Sequence, residues 1–175
     1  GSMSKESTRK AMEKYYERLD KKESGPKRRN EAPEKIVEKE CMTWMRAQGW
    51  QVEIYEAKAT YSPSQKRWRS SSMKKGTTDC MGVLPDGTAV AVEFKAPKKL
   101  GSLRDDQRSF IEGRIKMNTF ACVTDSVARL KEIFSKWNDL RYCTPIKAQE
   151  YLEGTLPKKR KSSKSEEDDD WFKNL

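Results

Sequence analysis

An α/β fold with the element order αβββαβ is expected of this chain, and three features point to it. Residues 89–95 (Ala-Val-Ala-Val-Glu-Phe-Lys) alternate as a strand does, residues 78–84 carry a similar strand signal, and Pro85-Asp86-Gly87 between them has the residue chemistry of a turn. Ahead of this hairpin, Ile36, Val37, Cys41, Trp44 and Met45 recur on one stripe of a helical segment over 33–48, stopped by Gly49. Behind it come a helix over 102–117, a strand over 119–123 and a helix over 126–138, with a first strand over 51–57 completing the set. Pro97 ends the Glu93 strand, and Ser102 is expected to cap the helix that follows. Upstream, residues 8–20 have Met12, Tyr15, Tyr16 and Leu19 at helical spacing, and 21–29 read as a flexible basic linker. The domain division is therefore a charged extension over 1–30, in which Gly1-Ser2 before Met3 has the form of a cloning remnant, a core over 31–140, and a C-terminal extension over 141–175 with flexible polar ends.

Composition narrows the function. The chain carries a formal net charge of +10 and a pI near 9.4, a balance that favours polyanion binding. Its hydrophobic content of 34% suits one compact domain with polar flanks. The absence of histidine excludes histidine-metal sites, Ser-His-Asp hydrolases and histidine acid-base phosphodiesterases, and leaves carboxylate-metal chemistry as the economical option. Cys41, Cys80, Cys122 and Cys143 show no Cys-x-x-Cys spacing and read as reduced thiols of an intracellular protein. With no apolar run of membrane-spanning length and no signal-peptide core, a soluble protein without a membrane partner is expected.

The chemistry lies in the hairpin. Alternation places Val90, Val92 and Phe94 on one face of the strand and Glu93 and Lys95 on the other, and the turn brings Asp79 beside Glu93. A Glu-x-Lys alone in a strand is an ordinary ion pair; a second carboxylate across the hairpin is what suggests a site. Paired carboxylates on neighbouring strands suit Mg²⁺, with Mn²⁺ as substitute, because hard cations take oxygen ligands and leave positions for waters and substrate phosphates. The Phe94 carbonyl, between the two charged side chains, is a further candidate ligand. Lys95 stands two residues from Glu93, at a strand rise of about 3.3 Å per residue, and is placed to orient an attacking water or offset charge in the transition state.

Gly76-Thr77-Thr78-Asp79, Val92-Glu93-Phe94-Lys95-Ala96-Pro97 and then Asp105-Asp106-Gln107-Arg108-Ser109-Phe110-Ile111 together resemble the restriction-endonuclease-like PD-(D/E)XK superfamily, and within it the VRR-NUC nucleases. The resemblance covers about residues 32–133; Val123-Thr124-Asp125 stands where some members carry Val-Arg-Arg. It implies a central mixed β-sheet flanked by helices, and a Mg²⁺-dependent DNA endonuclease. In it Asp79 and Glu93 are metal ligands, Lys95 is the catalytic lysine, Gln107 lies near the scissile phosphate, and Glu34 is the acidic residue of the first helix that supports a second metal or its waters. Glu31 and Glu38 are close enough to serve in place of Glu34. One metal or two, about 3.5–4 Å apart, fits equally. Small stand-alone members resemble Holliday-junction resolvases, so branched DNA and a homodimer are implied, in the setting of DNA recombination and repair. A monomeric flap, single-strand or nicking nuclease, a non-catalytic DNA-binding accessory protein, and an RNA-directed nuclease are the alternatives.

Basic residues flank these motifs. Lys66, Arg67, Trp68, Arg69, Lys74 and Lys75 precede Asp79, and Lys98 and Lys99 follow Lys95; cations interleaved with an aromatic suit phosphate contacts and stacking on an unpaired base, and all eight are assigned to DNA binding. The C-terminus passes from basic (157–161) to acidic with an aromatic end (166–172), a pattern that fits a solubilising tail, a docking peptide for a replication or recombination protein, or a mimic of DNA. Residues 157–161 also have the form of a nuclear import signal; a phage-encoded chain would work in a bacterial cytoplasm.

Overall fold

A computed structural model describes residues 4–23, 31–57 and 59–159 of the chain. Helix α1 (Lys5–Glu23) belongs to one unit and the residues from Ala32 onward to another. Residues 21–23 are helical and not part of a linker; the remainder of the expected linker, and the acidic end of the chain, lie outside the described residues. On α1 the side chains of Met12, Tyr15, Tyr16 and Leu19 are exposed.

The second unit is α/β. In chain order it holds α2 (Pro33–Ala47), β1 (Gln51–Ile54), β2 (Thr60–Ser62), β3 (Arg67–Arg69), β4 (Cys80–Val83), β5 (Ala89–Phe94), α3 (Asp105–Lys116), β6 (Phe120–Thr124), α4 (Val127–Cys143) and α5 (Pro145–Thr155). Four strands form a mixed sheet in the order β1-β4-β5-β6, with β5–β6 parallel and the other two pairings antiparallel. The expected turn closes β4 onto β5: Gly87, at φ +87°, donates its N–H to the Leu84 carbonyl, and Asp86 accepts from the Thr88 N–H. Gly82 on β4 is a close-approach glycine, since a Cβ there would lie 1.9 Å from the Gln51 carbonyl oxygen of β1.

Local chemistry sets the helix ends. Pro33 opens α2 and Glu34 sits in its first turn, where a fixed φ and a negative charge both suit a helix start. Gly49 (φ +85°) donates to the Arg46 carbonyl and Trp50 to the Met45 carbonyl, a Schellman stop that turns Trp50 into the core. Asn118 (φ +60°) ends α3 in the same way, with bonds from Asn118 to Ile115 and from Thr119 to Arg114. Ser126 caps α4 by accepting from the Arg129 N–H at 3.1 Å.

Several expectations are corrected. Ile36 is 46% exposed and Met42 is buried in its place, so the α2 stripe runs Val37, Cys41, Met42, Met45. β1 stops at Ile54, and the stretch expected as a loop before Asp79 contains the β2–β3 hairpin. Ser102 lies in a 3-10 turn, so α3 starts at Asp105. The core does not end near residue 140: α4 continues to Cys143, and α5 buries Ala148 and Leu152 against the rest. Its Gln149 accepts from Trp137 Nε1 at 2.8 Å and donates to the carbonyls of Ile115 and Thr119, satisfying groups that would otherwise be stranded. Among the described residues, no helix is long and apolar enough to cross a membrane.

Gly82→Ala is expected to destabilise the fold by about 3 kcal/mol, because the new methyl meets backbone that cannot give. Gly113→Ala on α3, where a Cβ meets nothing within 4 Å, should be neutral or stabilising by about 0.5–1 kcal/mol. Urea unfolding of both variants checks the contrast; equal effects would contradict the β1–β4 packing described above.

Candidate functional site

Asp79 is the residue just before β4, and its carbonyl accepts from the Tyr55 N–H at 2.7 Å, which carries the β1–β4 pairing one step further. Glu93 is the penultimate residue of β5. The two are stitched reciprocally. The Asp79 N–H donates to Glu93 Oε2 at 3.1 Å, and the Phe94 N–H donates to Asp79 Oδ2 at 3.0 Å. Each carboxylate is thus held by the other strand's main chain.

A third element closes the set. Gln107, in the first turn of α3, donates through Nε2 to Glu93 Oε1 at 2.8 Å, while its Oε1 accepts from Lys95 Nζ and from the Arg104 N–H, both at 3.1 Å. The donors at one end and the carboxylate at the other fix which way the amide points. Lys95 Nζ stands 3.8 Å from Glu93 Oε1. In a strand, a residue's N–H and carbonyl point to the same side. The Lys95 N–H bonds to Thr124 of β6, and alternation turns the Phe94 pair the other way, where its N–H meets Asp79. The Phe94 carbonyl therefore opens toward the Asp79 side.

Glu93 is 2% exposed. Burial, reinforced by the charge of Asp79 and opposed by Lys95, pushes its pKa up to about 8. When Glu93 is ionised, two carboxylates face one close ammonium, a deficit of positive charge that a divalent cation would fill. The donor set fits such an ion: Asp79 Oδ1, which has no hydrogen bond among the described residues, a Glu93 carboxylate oxygen and the Phe94 carbonyl are all hard oxygens, and Mg²⁺ habitually leaves its other positions to water and substrate.

Asp79, Glu93, Lys95 and Gln107 line one cavity of about 550 Å³ together with Glu34, Lys74 and Lys75. Glu34 belongs to the cavity but not to the carboxylate pair; among the described residues no three acidic or thiol side chains gather as a metal cluster. The remaining basic candidates lie elsewhere. Lys66, Arg67, Trp68 and Arg69 form the β2–β3 hairpin and do not line this cavity. Lys98 and Lys99 occupy the turn after β5, where the Lys98 N–H bonds to Asp125, also off the cavity wall.

Sequence reasoning missed two contributors. Arg104 lines the cavity at the start of α3, its Nε 3.1 Å from Asp106 Oδ1; it lies eleven positions beyond Glu93, outside any motif that would single it out. Lys35 also lines it, bridging Glu38 and Glu56 at 3.1 and 2.9 Å, contacts that raise its pKa. Three of the four cysteines, Cys41, Cys80 and Cys122, are buried, and burial pushes the Cys41 and Cys80 thiols up to about 12.

Comparison with protein-family models, with curated proteins and with solved structures returns no match for this chain.

Without metal, the folded chain holds the Glu93 proton up to about pH 8, whereas the unfolded chain releases it near pH 4.3, roughly. The native state then binds more protons across that window, so this group's contribution to stability falls as pH rises through it. Thermal melts of the metal-free protein should show a loss on the order of a few kcal/mol between pH 5 and 8, roughly, that Glu93→Gln largely abolishes. Added Mn²⁺ should raise the melting temperature of the wild type at pH 8 and not that of Asp79→Asn. Matching pH profiles for wild type and Glu93→Gln would contradict the electrostatics described for this pair.

Proposed function

We propose that this chain is a divalent-metal-dependent DNA endonuclease with a restriction-endonuclease-like core. One observation carries the reading: Glu93 and Gln107 are buried in the wall of one cavity, stitched to Asp79 and Lys95, while the exposed cations Lys74, Lys75 and Arg104 line the same cavity. Carboxylates alone would repel a phosphodiester; cations on the same cavity wall offset that repulsion.

Mg²⁺ held by Asp79, Glu93 and the Phe94 carbonyl would polarise the phosphate and acidify an attacking water. The chain's own groups do the rest. Lys95, anchored on the Gln107 amide oxygen, orients the water and offsets charge growing on the phosphate oxygens. Gln107 fixes the Glu93 rotamer and the Lys95 ammonium together, so it positions both rather than touching the phosphate itself. Glu34, at the exposed side of the cavity, is left to hold solvent around the ion. Lys74 and Lys75 take the phosphates beside the scissile one.

Branched DNA cut by a homodimer is the proposed substrate, on the strength of the family resemblance. A monomeric flap or single-strand nuclease is a second reading, and one observation favours it. Trp68 is 69% exposed on the β2–β3 hairpin and its ring lies 5.5 Å from that of Tyr61, a pair of bare aromatic faces suited to unpaired bases.

Incubation with labelled four-way junction, 5′ flap, single-stranded and duplex DNA, in Mg²⁺ or EDTA, separates these. Paired nicks confined to the junction are expected; cutting of flaps or single strands alone would replace the resolvase with the monomeric nuclease, and tight binding without metal-dependent product would leave a DNA-binding accessory protein. Lys95→Ala should cut at least about 100-fold more slowly with affinity intact. Lys74→Ala/Lys75→Ala should instead weaken binding and lower the salt slope by roughly 0.9 per lost phosphate contact. Equal loss of affinity in both variants would contradict these roles.

A further inference from the structure

A second cavity, of about 300 Å³, lies between the start of α3 and the chain that follows α5. Arg104 lines it as well as the carboxylate cavity, so the two adjoin through one side chain. The charges on its wall are uneven: Arg104, Arg108, Lys158 and Lys159 face a single carboxylate, Asp105.

The main chain leading to the lysines is anchored there. The Arg108 guanidinium, nine-tenths buried, donates to the Pro157 carbonyl, and Arg129 donates to the Thr155 carbonyl at 3.0 Å. Leu156, between these two anchor points, packs against the core. The strap is therefore fastened on both sides of Leu156 by guanidinium groups acting on main-chain oxygens. No carboxylate is used in the fastening; Arg104 is paired with Asp106, and Lys158 and Lys159 are left to supply the uncompensated charge. Lys158 and Lys159 follow directly, exposed, and neither forms an ion pair among the described residues. In the first turn of α3 the Gln107 N–H is taken by Asp106 Oδ1.

We propose that this cavity is a second phosphate-binding subsite, in which Lys158, Lys159, Arg104 and Arg108 hold the backbone of the nucleic acid whose neighbouring stretch lies in the carboxylate cavity. The proposal rests on the nuclease reading above and extends it. Lysine point charges and arginine forks are the usual partners of phosphodiester oxygens and carry no base preference. The subsite would set where the backbone runs past the metal ligands and not which sequence is read.

The test uses the full chain with Lys158→Ala/Lys159→Ala, which leaves Arg108, Arg129 and the strap's main chain untouched. Binding to a labelled duplex is measured by anisotropy in Ca²⁺ across a range of KCl concentrations, and lysine acetylation with and without DNA is mapped by mass spectrometry. The slope of log affinity against log salt should fall by roughly 1.8, two contacts at about 0.9 each. In the wild type, DNA should protect Lys158 and Lys159 from acetylation while Lys136 on α4 reacts as before. An unchanged slope with unprotected lysines, in a protein that still binds and cuts DNA, would overturn the subsite and spare the nuclease. Failure of the wild type to bind any DNA would remove both.

Discussion

Glu93 keeps 2% of its surface in water, and a carboxylate so placed must be matched by donors on every side. Its partners come from separate elements: the Asp79 N–H ahead of β4, the Gln107 amide of α3, and Lys95 just past the end of β5. Each partner carries its own requirement back into the fold. For Asp79 to reach Glu93, the chain before it must pass hard against α3, and Gly76 permits this, since a Cβ there would lie 2.5 Å from the Asp106 carbonyl oxygen. Thr78 in the same passage is fully buried and donates its hydroxyl to the Cys80 carbonyl. The close passage that brings Asp79 to Glu93 therefore also brings Lys74 and Lys75 to the cavity.

Electrostatics and stability pull against each other here. Desolvating Glu93 beside Asp79 raises the free energy of the ionised pair, and one ammonium at 3.8 Å compensates only part of it. An apolar pair at these positions would pack more stably. The pair is held in this arrangement by main-chain donors, the Asp79 N–H on Glu93 and the Phe94 N–H on Asp79. The cavity is graded in exposure: Glu93 is buried, Asp79 and Lys95 are half-buried, and Lys74, Lys75 and Arg104 are exposed.

How far this was legible in the sequence depends on the length and contrast of each signal. The alternation of residues 89–95 and the Pro85-Asp86-Gly87 turn were long and sharp enough to place Asp79 beside Glu93 and Lys95. Gln107 was found by its place in a motif, but its contact with Glu93 needed three dimensions. The β2–β3 hairpin escaped because its strands have three residues each and burial patterns with no apolar face. Helix α5 escaped for a related reason: only Ala148 and Leu152 are fully buried, and two small or isolated positions do not stand out from a polar background. Arg104 stood out by no motif of its own, and only the fold brings it to the cavity wall.

The C-terminal segment gains its meaning from α3. That helix carries Gln107 and begins at Arg104, so any looseness in it would be felt at Glu93 and Lys95. Its far end is held by Gln149 of α5, which takes the carbonyls of Ile115 and Thr119. Its first turns are held by the strap, through Arg108 and the Pro157 carbonyl. Trp137 of α4 completes the brace by giving its indole N–H to the same Gln149. α3 is thus clamped along its length by residues that read, in sequence, as an extension beyond the core. A helix fixed at both ends can present a buried amide to Glu93 in one orientation, because the hydrogen bonds that set Gln107 then depend on no freely moving element.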